Sequence, residues 1–292
     1  MPVVQADYCP HRGVPLSRGT NCGDRLRCAY HHVEIDARGV VVRVPGEAGS
    51  RLEGQAAVRT YPARECSGAV FAYFGDALHR EPVPFVPPEQ LIDAASYAAF
   101  LCYAEWEMFW RYLYDNNMDP MHGAFLHAKS HSMFAGSTEA AFRTRRTPTG
   151  FFVEKEAQRD TNFDWSEFVD ESSLYVRLEI PYPPSGGPGG NFGIVAYGTP
   201  IDDRTTACFF WRTRKVTGWQ RDVWRFLYKN RLESRHWHVL EQDRAMLAGC
   251  EAGLERYEHL YGHDVGVVAL RRHLTREARA QLVELKALAK TP

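Results

Sequence analysis

The chain has 292 residues, 45% of them hydrophobic, enough for one large domain or two ordinary ones with a proper core. Its 35 basic and 36 acidic residues leave a formal net charge of -1 with no long run of either sign, so no nucleic-acid or anionic-membrane surface is expected and a small-molecule substrate is. No apolar stretch reaches the roughly 18 residues of a membrane span, and Met1 to Pro10 lacks the apolar core of a signal peptide, which makes a cytoplasmic location the expectation.

Seven cysteines at irregular spacing do not form the disulfide framework of a small secreted domain, so metal ligation is the question they raise. Cys66, Cys102, Cys208 and Cys250 stand singly among apolar or small neighbours, where free cysteine behaves as a small buried hydrophobe. Near the start, Cys9-Pro-His11 and Cys28-Ala-Tyr-His31 give C-x-H and C-x-x-H with 16 residues between them. Two thiolates and two imidazoles complete either a tetrahedral zinc site or a [2Fe–2S] centre with both sulfurs on one iron and both nitrogens on the other. Each loop supplies one ligand of each kind, which suits two irons; a zinc finger more often pairs like ligands within a loop. Gly13 and Gly19 permit the turns that bring the loops together, Pro10 and Pro15 stiffen them, and Cys22 has no partner in the motif.

Val40 to Val44 and Ala69 to Phe74 read as strands, so the first 80 or so residues form a small β domain. Glu81-Pro-Val-Pro-Phe-Val-Pro-Pro88, with four prolines in eight residues, is an extended connector, and the boundary within it gives units of residues 1–85 and 86–292. A helix is expected from about Trp106 to Leu113, and Phe142 to Arg146 with Phe151 to Lys155 forms a hairpin about Thr147-Pro-Thr-Gly150. Val176, Leu178 and Ile180 alternate with charged residues as a half-buried strand, and Phe192 to Tyr197 and Thr205 to Arg212 follow the loop Pro181 to Gly190. After Gly218 the period turns helical to near Leu260 and again from about Thr275 to Ala289, which makes the second unit an α+β domain.

Within it, Asp119-Pro-Met-His122-Gly-Ala-Phe-Leu-His127 offers two imidazoles that a straight helix would set about 140° apart, with Gly123 available to relax the backbone. Asp119, just before Pro120, is a good helix cap. In the later helix Leu240, Asp243, Leu247, Cys250 and Leu254 share a face, so Asp243 interrupts the buried stripe while Glu241 lies about 160° away. An inward carboxylate needs a metal or a buried arginine beside it. Two histidines and that carboxylate have the composition of the facial triad of non-haem Fe(II) oxygenases.

Cys9-Pro-His-Arg-Gly-Val-Pro-Leu-Ser-Arg-Gly19 followed by Leu26-Arg-Cys-Ala-Tyr-His31 closely resembles the Rieske signature of the ring-hydroxylating oxygenases. Asp119-x-x-His122-x-x-x-x-His127, the late Glu241-Gln-Asp243 and the closing Asp264 to Arg272 resemble the catalytic domain of the same family. His31-His32-Val33 stands where the family usually reads His-Gly-Trp, and His31 is the assigned ligand because it completes C-x-x-H. The family has some tens of residues before the first cysteine, so the resemblance implies a Rieske domain truncated at its N-terminus or a start codon set too late.

The resemblance further implies a small all-β Rieske domain and a helix-grip (START-like) catalytic domain with a curved antiparallel sheet. A [2Fe–2S] cluster would sit on Cys9, His11, Cys28 and His31, and a mononuclear Fe(II) on His122, His127 and Asp243. Asp119 would bridge His122 to a cluster histidine of the neighbouring subunit in a head-to-tail homotrimer. A reductase or ferredoxin drawing on NADH or NADPH would supply electrons, and an aromatic small molecule would be hydroxylated or demethylated with O2. Trp106, Phe109, Trp110, Phe125, Phe209 and Trp211 are candidates for the substrate pocket and equally for plain core, Asn116 is a weaker one, and His131, His236, His238, His259 and His263 match no ligand spacing. Two other classes stay open: a zinc-stapled helix-grip ligand-binding protein without redox activity, and an electron carrier, against which the second ligand set argues.

Overall fold

The computed structural model describes residues 1–75, 84–130, 133, 136–182 and 189–288, with the side chain at 288 excepted. Residues 81–83 of the proline-rich connector, 183–188 of the expected loop, His131 and Ala289 lie outside the described residues. The chain divides into two compact units, Met1–Val83 and Pro84–Pro292.

The first unit is built from short strands: β1 (Val4–Gln5), β2 (Thr20–Asn21), β3 (Arg25–Arg27), β4 (Glu34–Asp36), β5 (Val41–Arg43), β6 (Thr60–Tyr61), β7 (Ala63–Cys66) and β8 (Ala69–Ala72). Strands β2 to β5 form an antiparallel sheet in chain order, while β1 pairs with β6 and β7 with β8. Cys9, Leu16, Cys28, Val33, Ile35, Val41 and Val58 make its core, so both motif cysteines are core residues as well as candidate ligands. Buried Glu34 accepts hydrogen bonds from Arg25 and Arg27, and these cations, Arg25 foremost, hold its carboxyl below the usual range.

In the second unit α1 (Glu89–Ile92) precedes β9 (Tyr97–Trp106), α2 (Arg111–Asn117) and α3 (His122–Phe125). Six strands follow, namely β10 (Phe142–Thr147), β11 (Gly150–Lys155), β12 (Trp165–Asp170), β13 (Leu174–Pro181), β14 (Asn191–Pro200) and β15 (Thr206–Lys215). They run as an antiparallel meander in chain order, and β9 closes the row beside β15. The chain ends with α4 (Trp219–Leu227), a π-helical turn at Tyr228–Leu232, α5 (Glu233–Leu247) and α6 (Val265–Leu288). Trp224, Tyr228 and Leu232 pack on Leu178, Ile180 and Phe192, and Leu240 packs on Val176 and Phe210, so the α4–α5 segment covers one face of the sheet. This is the expected α+β architecture. No helix among the described residues is long and apolar enough to cross a membrane.

Three expectations are corrected. Trp106 ends a strand rather than beginning a helix: the buried Ala98, Cys102 and Trp106 recur every fourth residue, a spacing that a two-residue period satisfies as well as a helical one. The long helix ends at Leu247, because Ala248 is extended and Gly249 and Gly253 take φ of +83° and +89°, so Cys250 and Leu254 lie beyond it. The closing helix begins at Val265, ten residues before its expected start.

That earlier start matters to the site. A Cβ on Gly266 would fall 2.2 Å from the Met118 carbonyl oxygen, so only glycine lets α6 approach the end of α2 this closely. Arg271 on α6 then reaches buried Asp115 on α2, Nη2 to Oδ2 at 2.7 Å, and also pairs with Glu258. Burial pushes the Asp115 carboxyl up against the opposing pull of Arg271 and Arg111. Replacing Arg271 by Met leaves that carboxylate only the longer contact with Arg111, 3.4 Å away, and is expected to cost about 3 kcal/mol in chemical denaturation, whereas Asp115→Leu combined with Arg271→Met should recover most of the loss. Additive destabilisation in the double variant would contradict the pairing.

Candidate functional site

The two cysteine loops are conformational copies. Cys9 N–H donates to the Val14 carbonyl and Gly13 N–H to the Cys9 carbonyl, both at 2.8 Å; Cys28 N–H donates to Val33 at 2.9 Å and His32 N–H to Cys28 at 3.1 Å. Each closure drives the fourth residue after the cysteine to positive φ, +72° at Gly13 and +59° at His32. His32 therefore fills the turn position that glycine fills in the first loop, which accounts for the unusual His31-His32 pair. Cys9 and Cys28 are buried, whereas His11 and His31 are exposed with ring centroids 4.5 Å apart. Burial and the facing Cys28 thiol push the Cys9 thiol up, and partial desolvation, followed by the neighbouring His11 and Arg12, presses the His31 imidazole down. Sulfurs inside and nitrogens outside suit a binuclear cluster seated on its sulfur end. Cys22 is exposed and apart, its Sγ 3.7 Å from the Thr20 carbonyl.

The second constellation is held by α3 and α5. Asp119 Oδ1 accepts the N–H groups of Met121 at 2.9 Å and His122 at 3.4 Å, turning the chain into α3. That helix lasts only one turn, so His127 comes round beside His122 after the helix has ended, and Gly123 lies within the turn, where a Cβ would meet Phe163 and Met133 only at ordinary contact distance. His122 Nδ1 lies 2.5 Å from the Asp119 backbone oxygen and His127 Nδ1 lies 2.9 Å from Gln242 Oε1. Facing acceptors make both Nδ1 atoms the protonated ones, an assignment from partners, which leaves both Nε2 lone pairs bare. They point at Asp243 Oδ1, 3.6 Å from His122 and 3.1 Å from His127. That oxygen is buried without a hydrogen-bond donor among the described residues. Burial alone depresses His127, but the Asp243 carboxylate, followed by Gln242, raises it overall. Three acceptors within 4.8 Å of one another thus call for positive charge, and a divalent cation fits them. Among the described residues this is the one group of three candidate ligands that converges so closely. Glu241 is exposed and paired with Arg244.

Beside the triad opens a mostly apolar cavity walled by Leu178, Phe192, Ile194, Phe210, Val239 and Leu240, with Asn116, Asn117 and Trp106 at its edge. Of the six aromatic candidates only Trp106 lines it. Phe125 is exposed, and Phe209 and Trp211 alternate to the opposite face from Phe210. His236, read from sequence without a role, is buried in the wall, stacked on Phe192 at 4.6 Å. Gln242 and Arg212 are not among the sequence candidates; the signals for them are Gln242's place beside Asp243 and Arg212's shared strand parity with Phe210.

Residues 1–62 match the family model of the Rieske [2Fe-2S] domain, and residues 106–280 that of the vanillate O-demethylase oxygenase C-terminal domain. The chain belongs to the Rieske oxygenase family. The phthalate 4,5-dioxygenase oxygenase subunit of Pseudomonas putida is 30% identical over 229 residues, 71% of this chain and 49% of that one. The 5,5'-dehydrodivanillate O-demethylase oxygenase subunit of Sphingobium sp. is 25% identical over 293 residues, 92% of this chain and 65% of that one. The chain thus spans about half the length of the first relative and under two thirds of the second. Dicamba monooxygenase bound to dicamba superposes with a TM-score of 0.74 at 19% identity, covering 96% of this chain and 87% of that one, which is a likeness of fold. Membership of the Rieske oxygenases implies an iron–sulfur cluster and a non-haem iron, and disfavours the zinc-stapled reading.

The loop geometry separates His31 from His32. In this Rieske oxygenase, His31→Ala should abolish the visible absorption of a cluster, while His32→Gly should keep it and, by relieving a left-handed non-glycine residue, leave the unit as stable as before or up to about 1 kcal/mol more so. Loss of the chromophore in the His32 variant would make His32 the ligand and the copy relation irrelevant.

Proposed function

We propose that this chain is an oxygenase component that uses O2 to hydroxylate or demethylate an aromatic small molecule, with a mononuclear Fe(II) held by His122, His127 and Asp243 and a [2Fe–2S] cluster held by Cys9, His11, Cys28 and His31. The observation that carries the reading is the convergence of two bare imidazole nitrogens on the orphaned Asp243 Oδ1 at the edge of an apolar cavity. When bound, the cluster supplies single electrons and the iron supplies the activation of dioxygen. The chain's own residues do the rest. The Asp119 carbonyl and Gln242 fix the two rings through their Nδ1 atoms, so each presents Nε2 without a further choice of rotamer. Three ligands on one side leave the other side open to the cavity, whose apolar walls exclude water around a substrate ring. The aromatic substrate class is supported by those walls and by relatives named for phthalate and dehydrodivanillate.

Electrons are proposed to come from NADH or NADPH through a separate reductase or ferredoxin. We further propose a head-to-tail homotrimer in which Asp119 orients His122 toward a cluster histidine of the next subunit. Asp119 Oδ1 is engaged by the α3 backbone, but Oδ2 is free of it, 3.8 Å from His122 Nδ1. Asparagine preserves the Oδ1 acceptor and loses the charge.

Two expected outcomes follow from this geometry. Asp243→Ala should lose the mononuclear iron and turnover while retaining the cluster spectrum, and Glu241→Ala should lose neither; iron analysis with absorption spectroscopy checks both, and the reverse pattern rejects the triad. Asp119→Asn should fold normally, keep its metals and its oligomer, and lose most of its product yield in single turnover, whereas near-normal yield would reduce Asp119 to a helix cap.

A further inference from the structure

Arg212 lies on the inner face of β15, in the same cavity as the triad, and only 2% of it is exposed. Its neighbours across the sheet are Ile194 and Phe100, both apolar. No acceptor among the described residues meets its Nε or Nη1. The Phe210 ring, with its centroid 5.8 Å from Cζ, offers a π face but no counter-charge. Arg214, two residues on along the same face, differs: its Nη2 donates to the Gly189 carbonyl and it does not line the cavity. The cavity's own carboxylate, Asp243, faces the two imidazoles as the third member of the candidate metal site. A buried guanidinium flanked by apolar side chains, with no counter-ion among the described residues, is unfavourable on its own, and an anion arriving from outside would relieve it.

We propose that Arg212 is the specificity residue of this cavity and that it selects aromatic substrates bearing a carboxylate. The inference rests on the reading that the cavity binds the substrate. The carboxylate replaces the missing acceptors, and the charge-assisted hydrogen bonds to a planar guanidinium fix the ring's orientation as well as its affinity. The remaining walls, Leu178, Phe192, Ile194 and Val239 among them, hold the ring by apolar contact, which discriminates poorly among rings of similar size. Selection therefore falls on the charged end. A neutral ring of the same shape leaves the guanidinium unpaired and binds correspondingly less well.

Titration calorimetry on the full chain with its metals bound tests this without turnover. The probes are benzoate, phthalate and 4-methoxybenzoate, each against its neutral carboxamide. Wild type is expected to favour the acids about tenfold or more. In Arg212→Met the ratio should fall to near one, and Arg212→Lys should keep a reduced preference, having the charge without the fork. Arg212→Met removes a buried unpaired charge, so its melting temperature should match or exceed that of wild type, and added acid should raise the melting temperature of wild type alone. No acid preference in wild type across the panel, or an undiminished one in Arg212→Met, overturns the assignment. The oxygenase reading fails on different evidence: a chain that prefers acids through Arg212 yet holds no iron and consumes no oxygen with a reductant would lose that reading and keep this one.

Discussion

A carboxylate buried on the inner side of α5, with two unprotonated imidazole nitrogens against it, is costly until a cation joins the three. Much of the second unit's local geometry serves to set up that arrangement. A one-turn α3 is needed to bring His127 alongside His122, and the Asp119 turn is needed to start it. Gln242, the residue before Asp243 on the same helix, fixes the ring that Asp243 faces, so α5 supplies both the carboxylate and the orientation of one of its partners. Behind them the Asp115–Arg271 pair and the bare Gly266 backbone hold α2 against α6, and α2 carries Asn116 and Asn117 to the cavity edge.

Much of this was legible in the residues. The alternation of Val176, Leu178 and Ile180 marked β13, the Pro148-Thr149 link marked the β10–β11 hairpin, and the apolar face of the late helix set Asp243 inward with Glu241 outward. Strand β12 went unread because Ser166 and Glu167 are buried polar residues; Glu167 is neutralised by Arg177 from β13, a pairing that no local pattern contains. Strand β9 was obscured by a four-residue recurrence common to both periods. Residue type alone points to Phe209 and Trp211 for the pocket, whereas strand parity decides: Phe210 faces the cavity and its neighbours Phe209 and Trp211 do not. Arg212 escaped notice for a related reason, since charge in a strand normally signals the solvent side and here it signals the site.

The first unit shows how a departure from a family pattern can be a local substitution rather than a changed site. His32 holds the same left-handed turn as Gly13, so the closure of the loop that carries His31 matches that of the loop that carries His11 despite the missing glycine. Histidine is one of the few side chains that enters this region with tolerable strain. The unequal spacing, C-x-H against C-x-x-H, is absorbed within closures of equal length, and the two imidazoles still meet at the exposed end.

On the proposed assignment one chain holds a binuclear cluster and a separate mononuclear iron. Metal and acid-labile sulfide analysis of the anaerobically purified protein, alongside its visible spectrum, tests it most directly. About three irons and two sulfides per chain are expected, with the brown colour of a histidine-ligated cluster that bleaches on reduction. A colourless protein carrying about one zinc per chain and no sulfide would contradict it.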